Sequence, residues 1–263
     1  MAAGGGRPES SVALLAIDLG VGVRAAFTTR GGGFSTGPWD GLDLAVHVGD
    51  DPVAVARNRS LVEHSIGAPI AWADQAHGAD AFVVTTPPAD LLSPVARADA
   101  LVTGLDDVAL GVLVADCVPV LLADATAGVV AAIHAGRRGL VAGVVQSAVA
   151  AMRDLGAAPD RIRSTIGPSV CGACYEVPAE MCDEVSRLVP AARAETSWGT
   201  PSLDLPGAVA AVLGACGVRG VQRVEACTMT DPRFYSHRRS AHHAEPTGRF
   251  AGVIRLAGVS PRS

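Results

Sequence analysis

Residues 109–136 read ALGVLVADCVPVLLADATAGVVAAIHAG, three apolar runs separated by short polar breaks. Runs of this length bounded by turn residues predict buried strands over 109–115, 118–123 and 128–133. Only Asp124 to Ala127 separate the second run from the third. A parallel crossover needs about a dozen residues, so these two strands must form an antiparallel hairpin. If Ala123 faces Gly128, Cys117 lies opposite His134, and directly opposed side chains share a face with Cβ atoms about 4.5–5.5 Å apart. A slip of one residue would send the two side chains to opposite faces.

Outward from this hairpin, 21–29 reads as a strand running into the glycine loop Arg30 to Gly33. The spacing over 52–66 predicts a helix, with Asp51 capping its first turn and Pro52 at its first position. Short strands over 70–73 and 81–85 flank a polar turn that carries His77. Downstream, a helix over 138–155 ends at Gly156. Helices over 177–189 and 206–216 follow, the second closed by Gly217, and late strands lie at 221–227 and 252–256. This order predicts a mixed α/β (α+β) fold: one layered domain over 21–258, with partly antiparallel sheets flanked by helices, behind a loose segment over 1–20.

Hydrophobic residues make up 49% of the 263 and charged residues 18%, which is the balance of a folded globular chain rather than a disordered one. Aromatics are only 4%, and 21 Lys+Arg stand against 26 Asp+Glu, so a nucleic-acid partner is not expected. The six cysteines are dispersed in a chain too large to need disulfide staples, which predicts reduced thiols and a cytoplasmic protein. Residues 1–11 lack the apolar stretch of a secretory signal. The longest apolar run falls far short of the ~20 residues that cross a membrane, so no membrane partner is expected.

A converging Cys117 and His134 admit three chemistries. They are a buried thiol beside a satisfied histidine, a Cys nucleophile activated by His with Asp116 orienting the ring, or a metal held by thiolate and imidazole. The metal reading needs a third ligand, and His77 in the turn DQAHGAD is the best placed, with Gly78 permitting close backbone approach. Two His and one Cys would leave one zinc position open to water or substrate, as in catalytic sites. Cys171 and Cys174 lack a second pair and read as a loop feature.

The segments TTRGGGFS, LDLAVHVGDD, DQAHG, ADCVPVLLAD, HAGRRG, IGPSVCGACYEV, CTMTDPRFYSHRR and TGR together resemble the YfiH-like, laccase-domain family of purine nucleoside phosphorylases. That family is also called multicopper polyphenol oxidase, and its bacterial members are linked to peptidoglycan editing. The resemblance implies a zinc bound by His77, Cys117 and His134. It further implies phosphorolysis of adenosine, inosine and S-methyl-5'-thioadenosine, together with adenosine deamination. Purine nucleosides and phosphate are then the partners. Copper is less expected than zinc, since the seven His cannot furnish a multicopper centre. Two departures from many members bear on substrate choice: Arg137 where Trp is common, and Asp43 where Asn is common.

Arg30 in its glycine loop and Arg138 at a helix start are expected to contact an anion such as phosphate, opening toward one pocket. Arg137 reads as a surface charge. Asp43, His47 and Asp116 compete for the general acid, and Asp43 and His47 are expected on the substrate side. The cluster His237, Arg238, Arg239, His242, His243 and Arg249 reads as a solvated basic loop or a phosphate contact. Tyr175 and Glu176 are expected to begin a helix and cap it. Competing readings are a Cys117 amide hydrolase in peptidoglycan precursor editing, with His134 as base, and a zinc-stabilised interaction module.

Overall fold

The computed structural model describes residues 12–258. The loose start expected over 1–11 and its lack of a signal lie outside that range. Two six-stranded sheets form the frame. One orders Leu14–Ile17, Val23–Thr28, Phe250–Leu256, Ala109–Val114, Ile70–Asp74 and Ala96–Arg97. The other orders Gly220–Arg223, Arg163–Ile166, Val118–Asp124, Val129–Ala135, Ala100–Thr103 and Ala81–Val83. Both mix parallel and antiparallel neighbours, so the expected mixed α/β architecture with flanking helices is what forms.

Side-chain alternation explains the layering. Phe27, Leu110, Val112 and Ile254 of the first sheet meet Leu121, Ala123, Val130 and Ala132 of the second in one buried cluster. The alternate residues of the central hairpin, Val120, Leu122, Ala131 and Ile133, turn to the opposite face. There they pack against helices Val144–Asp154, Ala179–Leu188 and Leu205–Ala215. Helix Pro52–Ile66 covers the outer face of the first sheet through Val62 and Ile66, against Ile70, Trp72 and Val253. Strands buried on both faces must be apolar throughout, which is why the three central runs show no alternation.

Several boundaries move. The strand Leu14–Ile17 falls in the stretch expected to be loose, and it pairs antiparallel with Val23–Thr28. The helix expected over 138–155 is two helices, Arg137–Ala142 and Val144–Asp154, because Gly143 adopts φ 98°, a left-handed conformation that ends one helix and starts the next. The strand expected over 221–227 stops at Arg223. The helix after Tyr175 begins only at Ala179. Asp51 caps helix Pro52–Ile66 as expected, accepting from the Val53 N–H at 3.0 Å. Among the described residues, no helix is long and apolar enough to cross a membrane.

The hairpin register differs from expectation by two residues. Val118 pairs with Ala135 and Pro119 with His134, so Cys117 lies one step beyond the last pair. The four residues Ala125 to Gly128 make the turn between Val118–Asp124 and Val129–Ala135. A shift of two preserves the face, so Cys117 and His134 still converge.

Candidate metal centre and its cavity

His77, Cys117 and His134 come together with one ligand atom of each lying within 4.8 Å of the others. Cys117 Sγ is 3.9 Å from His77 Nε2, and the two imidazoles meet edge to face with centroids 4.7 Å apart. His134 is 3% exposed at the end of its strand, whereas His77 projects from the exposed turn after Ile70–Asp74. His77 adopts φ 57° and Asp116 φ 92°, left-handed values that non-glycine residues adopt only when their surroundings hold them.

Asp99 organises the centre. Its carboxylate accepts from His134 Nδ1 at 2.8 Å and from the N–H groups of Ala76, His77 and Gly78 at 3.2, 2.9 and 2.6 Å. Its carbonyl accepts the His134 N–H at 2.8 Å. One buried acid therefore sets the His134 tautomer, leaves Nε2 free, and ties the His77 turn to the strand. Burial pushes the Asp99 carboxyl up, but these donors outweigh it and the net shift is down. Burial likewise pushes the Cys117 thiol up, yet the charge and hydrogen bond of His134, with a hydrogen bond from His77, bring it below the usual thiol range. His134 moves the other way: burial lowers it, and the Cys117 thiolate and Asp99 raise it further than burial takes away.

Two glycines of HAGRRG let the pieces close. A Cβ on Gly136 would lie 3.0 Å from both Cys117 Sγ and His77 Cδ2, and one on Gly139 would lie 2.7 Å from the Gly78 carbonyl. The donor set suits a transition metal. A tetrahedral zinc with bonds of about 2.3 Å to sulfur and 2.0 Å to nitrogen spaces such donors about 3.6 Å apart. The chain holds them near that separation, within 4.8 Å of one another, and three protein donors leave a fourth position open.

That position faces a cavity of about 390 Å³ lined by all three ligand residues with His47, Arg59, Arg249 and His237. A second cavity of about 360 Å³ shares Ala115, Cys117 and His237 with the first and adds Arg137, Tyr175 and Arg238. Arg59, 1% exposed, donates from Nε to the Leu44 carbonyl at 2.8 Å and from Nη1 to those of Leu91 and Leu92 at 2.8 and 3.3 Å, with its guanidinium over Trp72. Arg249 Nη1 donates to the carbonyls of Thr247 and Gly248, both at 3.0 Å. Among the described residues, nothing hydrogen-bonds the Nη2 of either arginine. Burial lowers the pKa of Arg59 to about 10, so it stays charged at neutral pH. His47 is lowered by burial first and then by the charges of Arg249 and Arg59, so the imidazole facing the cavity is neutral.

Other expected site residues sit elsewhere. Arg30 donates from Nε and Nη2 to the Asp40 carbonyl, lies over Tyr235, and lines shallow depressions that contain none of the three ligands. Arg138 is exposed and lines none of these cavities. Its neighbour Arg137, read from sequence as a surface charge, is the one that lines the cavity beside Cys117. The reason is helical geometry: successive residues point about 100° apart, and Gly136 fixes which one turns inward. Asp43 is fully buried behind His47, with Oδ1 accepting from the N–H groups of Arg249 and Ala45 at 2.7 and 3.1 Å. It does not reach the cavity.

Asp116 does not orient His134. Its two oxygens accept from Thr228 Oγ1 at 2.6 Å and the Arg238 N–H at 2.7 Å, and Asp99 takes the orienting place. Tyr175 lies under the Arg238 guanidinium, and Glu176 accepts from Trp198 Nε1 at 2.9 Å, so neither caps the helix. Asp99 was the main omission from the sequence reading. Its signal was a single acid set directly before the apolar strand Ala100–Thr103.

Over residues 24–257 the chain matches the family described as multi-copper polyphenol oxidoreductase laccase. The chain belongs to this family. It is 51% identical over 238 residues to a protein of Streptomyces coelicolor named purine nucleoside phosphorylase, covering 89% of this chain and 96% of that one. A Mycobacterium tuberculosis protein of the same name is 45% identical over 240 residues, covering 90% and 93%. Among solved structures, a Neisseria meningitidis protein superposes with a TM-score of 0.83 at 35% identity, covering 93% of this chain and 99% of that one. YlmD of Geobacillus stearothermophilus superposes at 0.81 and 33% identity, covering 90% and 92%. The fold and the family are those that the sequence motifs resembled.

Proposed function

We propose that the chain is a zinc-dependent purine nucleoside phosphorylase, acting on adenosine, inosine and S-methyl-5'-thioadenosine with phosphate, and that it also deaminates adenosine. The observation that carries this reading is one cavity lined both by the His77, Cys117 and His134 cluster and by the buried Arg59 and half-buried Arg249. The names of the relatives support the same class of reaction. His77, Cys117 and His134 would hold the zinc, which would supply Lewis-acid polarisation and make water acidic enough to serve the deamination near neutral pH.

Phosphorolysis breaks the bond from C1' to the base nitrogen and forms one from C1' to a phosphate oxygen, through a ribosyl-cation-like state. Arg59 and Arg249 present unpaired Nη2 groups that hold the phosphate anion against the sugar. Carbonyls grip Nε and Nη1 of Arg59 and Nη1 of Arg249, so little freedom is lost when phosphate binds. The departing base must gain a proton, and His47 and His237 are the imidazoles besides those of the cluster that line this cavity and could relay one. Asp99 keeps His134 in the tautomer that offers Nε2 to the metal. Arg137, across Cys117 in the adjoining cavity, replaces the expected Arg138 as the cation contributed by the HAGRRG segment.

Incubating the purified, zinc-loaded protein with adenosine, with and without phosphate, tests this directly. Adenine with ribose 1-phosphate, formed only when phosphate is present, is the expected product pair, and inosine marks the deaminase. Failure to form either removes the proposal. The lowered Cys117 thiol beside a cationic His134 is also what a cysteine hydrolase uses. That second reading requires amide cleavage that survives complete removal of metal and disappears in Cys117→Ser.

A further inference from the structure

Apart from the centre described above, the loop Cys171 to Tyr175 and the segment Cys227 to Thr230 bring three more sulfurs together. Cys171, Cys174 and Cys227 are each half-buried, with Sγ atoms all within 4.8 Å of one another. In sequence, Cys171 and Cys174 formed a pair without a counterpart; the parallel bridge between Ser169 and Cys227 supplies the third thiol from 53 residues further on. All six cysteines are free thiols.

The backbone around these sulfurs is arranged for thiolates. The Cys171 N–H donates to Cys227 Sγ at 3.4 Å, and the N–H groups of Thr230 and Asp231 close a turn on the Cys227 carbonyl at 3.1 and 2.8 Å. The N–H groups of Cys174 and Tyr175 close a turn on the Cys171 carbonyl, both at 3.0 Å. A backbone N–H aimed at a sulfur favours its thiolate, the form that binds a metal.

We propose that Cys171, Cys174 and Cys227 form a second metal site, which takes one thiophilic cation as a three-sulfur centre. Binding releases the remaining thiol protons to solvent and forms three metal–sulfur bonds with no change of oxidation state. Three thiolates meet the coordination demand of Cu(I), or of Zn(II) completed by one water. The site's consequence is positional. Cys174 precedes Tyr175, which lies under Arg238, and Cys227 precedes Thr228, which holds Asp116 and whose carbonyl accepts from Arg239 Nη1 at 2.6 Å. A cation on the three sulfurs ties together two segments that wall the cavity beside Cys117.

Cadmium titration of the metal-free, reduced protein tests the site, because cadmium–thiolate charge transfer in the ultraviolet counts bound sulfurs. Two equivalents should bind, with four thiolates' worth of absorption, three from this site and one from Cys117. Cys227→Ser and Cys174→Ser should each lose one equivalent and most of the absorption, while zinc-supported nucleoside turnover persists. A single equivalent in the parent protein, with one thiolate's absorption, overturns the proposal. If the serine variants do not fold, alkylation of the parent protein followed by mass spectrometry decides. Added zinc or Cu(I) should protect Cys171, Cys174 and Cys227 but not Cys216, and whichever ion protects at the lower free concentration is the ligand. Equal labelling with and without both ions overturns the site.

Discussion

The cavity has two walls built on opposite plans. On one wall His77, Cys117 and His134 stand at the ends of strands and turns, gathered by a single buried carboxylate, Asp99, and by the absence of side chains at Gly136 and Gly139. On the other wall Arg59 and Arg249 come from a helix and from the loop before the last strand, and backbone carbonyls hold them. The first wall offers lone pairs to a cation, and the second offers N–H groups to an anion. Asp99 stands behind the first wall and Asp43 near the arginines of the second, and neither carboxyl lines the cavity. Two opposite charges in solution can then be held side by side within one cavity.

The comparison predicts that damage to the first wall costs more than damage to the second. Changing His77, Cys117 or His134 singly to Ala should strip zinc and abolish turnover, while Cys216→Ser should do neither. Full zinc content by elemental analysis in Cys117→Ala would break the picture of that wall. Asp99→Asn keeps the shape but loses the charge that orients His134 and the His77 turn. Zinc affinity should fall by about 10–100-fold, the usual cost of losing an orienting partner behind a metal ligand. A competition titration with a chelator measures it.

On the second wall, Arg249→Gln should raise the KM for phosphate by roughly tenfold, corresponding to about 1–3 kcal/mol for a charge-assisted contact. Deamination, which uses water, should change less. Arg138→Ala, on an exposed side chain, should leave phosphate dependence as it was. Steady-state kinetics at varied phosphate separates the two, and equal effects would mean that the anion does not sit between Arg59 and Arg249.

The smallest effect on turnover is expected from Asp43→Asn, whose consequence lies in stability. Burial raises the Asp43 pKa to about 7, opposed by the N–H groups of Arg249 and Ala45, and Oδ2 is buried without a partner. An unfolded aspartate titrates near about 3.9. Between that value and about 7 the unfolded chain ionises while the folded one stays protonated, so stability is full below pH 4, falls as pH rises, and levels off above 7. Asn mimics the protonated acid. Melting temperatures of Asp43→Asn should lose this decline, and the variant should be the more stable of the two at pH 8. A parallel pH profile in both proteins would remove Asp43 as its source.

Much of the metal wall was legible in sequence because its parts are close along the chain. A four-residue connection forces residues 118–135 into a hairpin, and strand parity carries Cys117 and His134 to one face even though the register is displaced by two. The third candidate ligand, His77, was readable from a polar turn between two short apolar runs. The family motifs pointed to the same three residues. By contrast, Arg138 was preferred over Arg137 because sequence marks where a helix starts but not which residue of its first turn faces inward.

What the sequence determined by itself is therefore local and periodic: the apolar runs, the hairpin, the capped helix Pro52–Ile66 and the types of residue able to bind a metal. What only the tertiary structure decided is every pairing across long separations. Asp99 behind His134, Arg59 beside Arg249, Thr228 on Asp116, and Cys227 joining Cys171 and Cys174 all depend on which sheet edges and loops meet. Hydrophobic periodicity specifies the face a residue takes within its own element and carries no information about the partner. Partner choice emerges only when two sheets close over a shared core and each buried polar group must find its hydrogen bond.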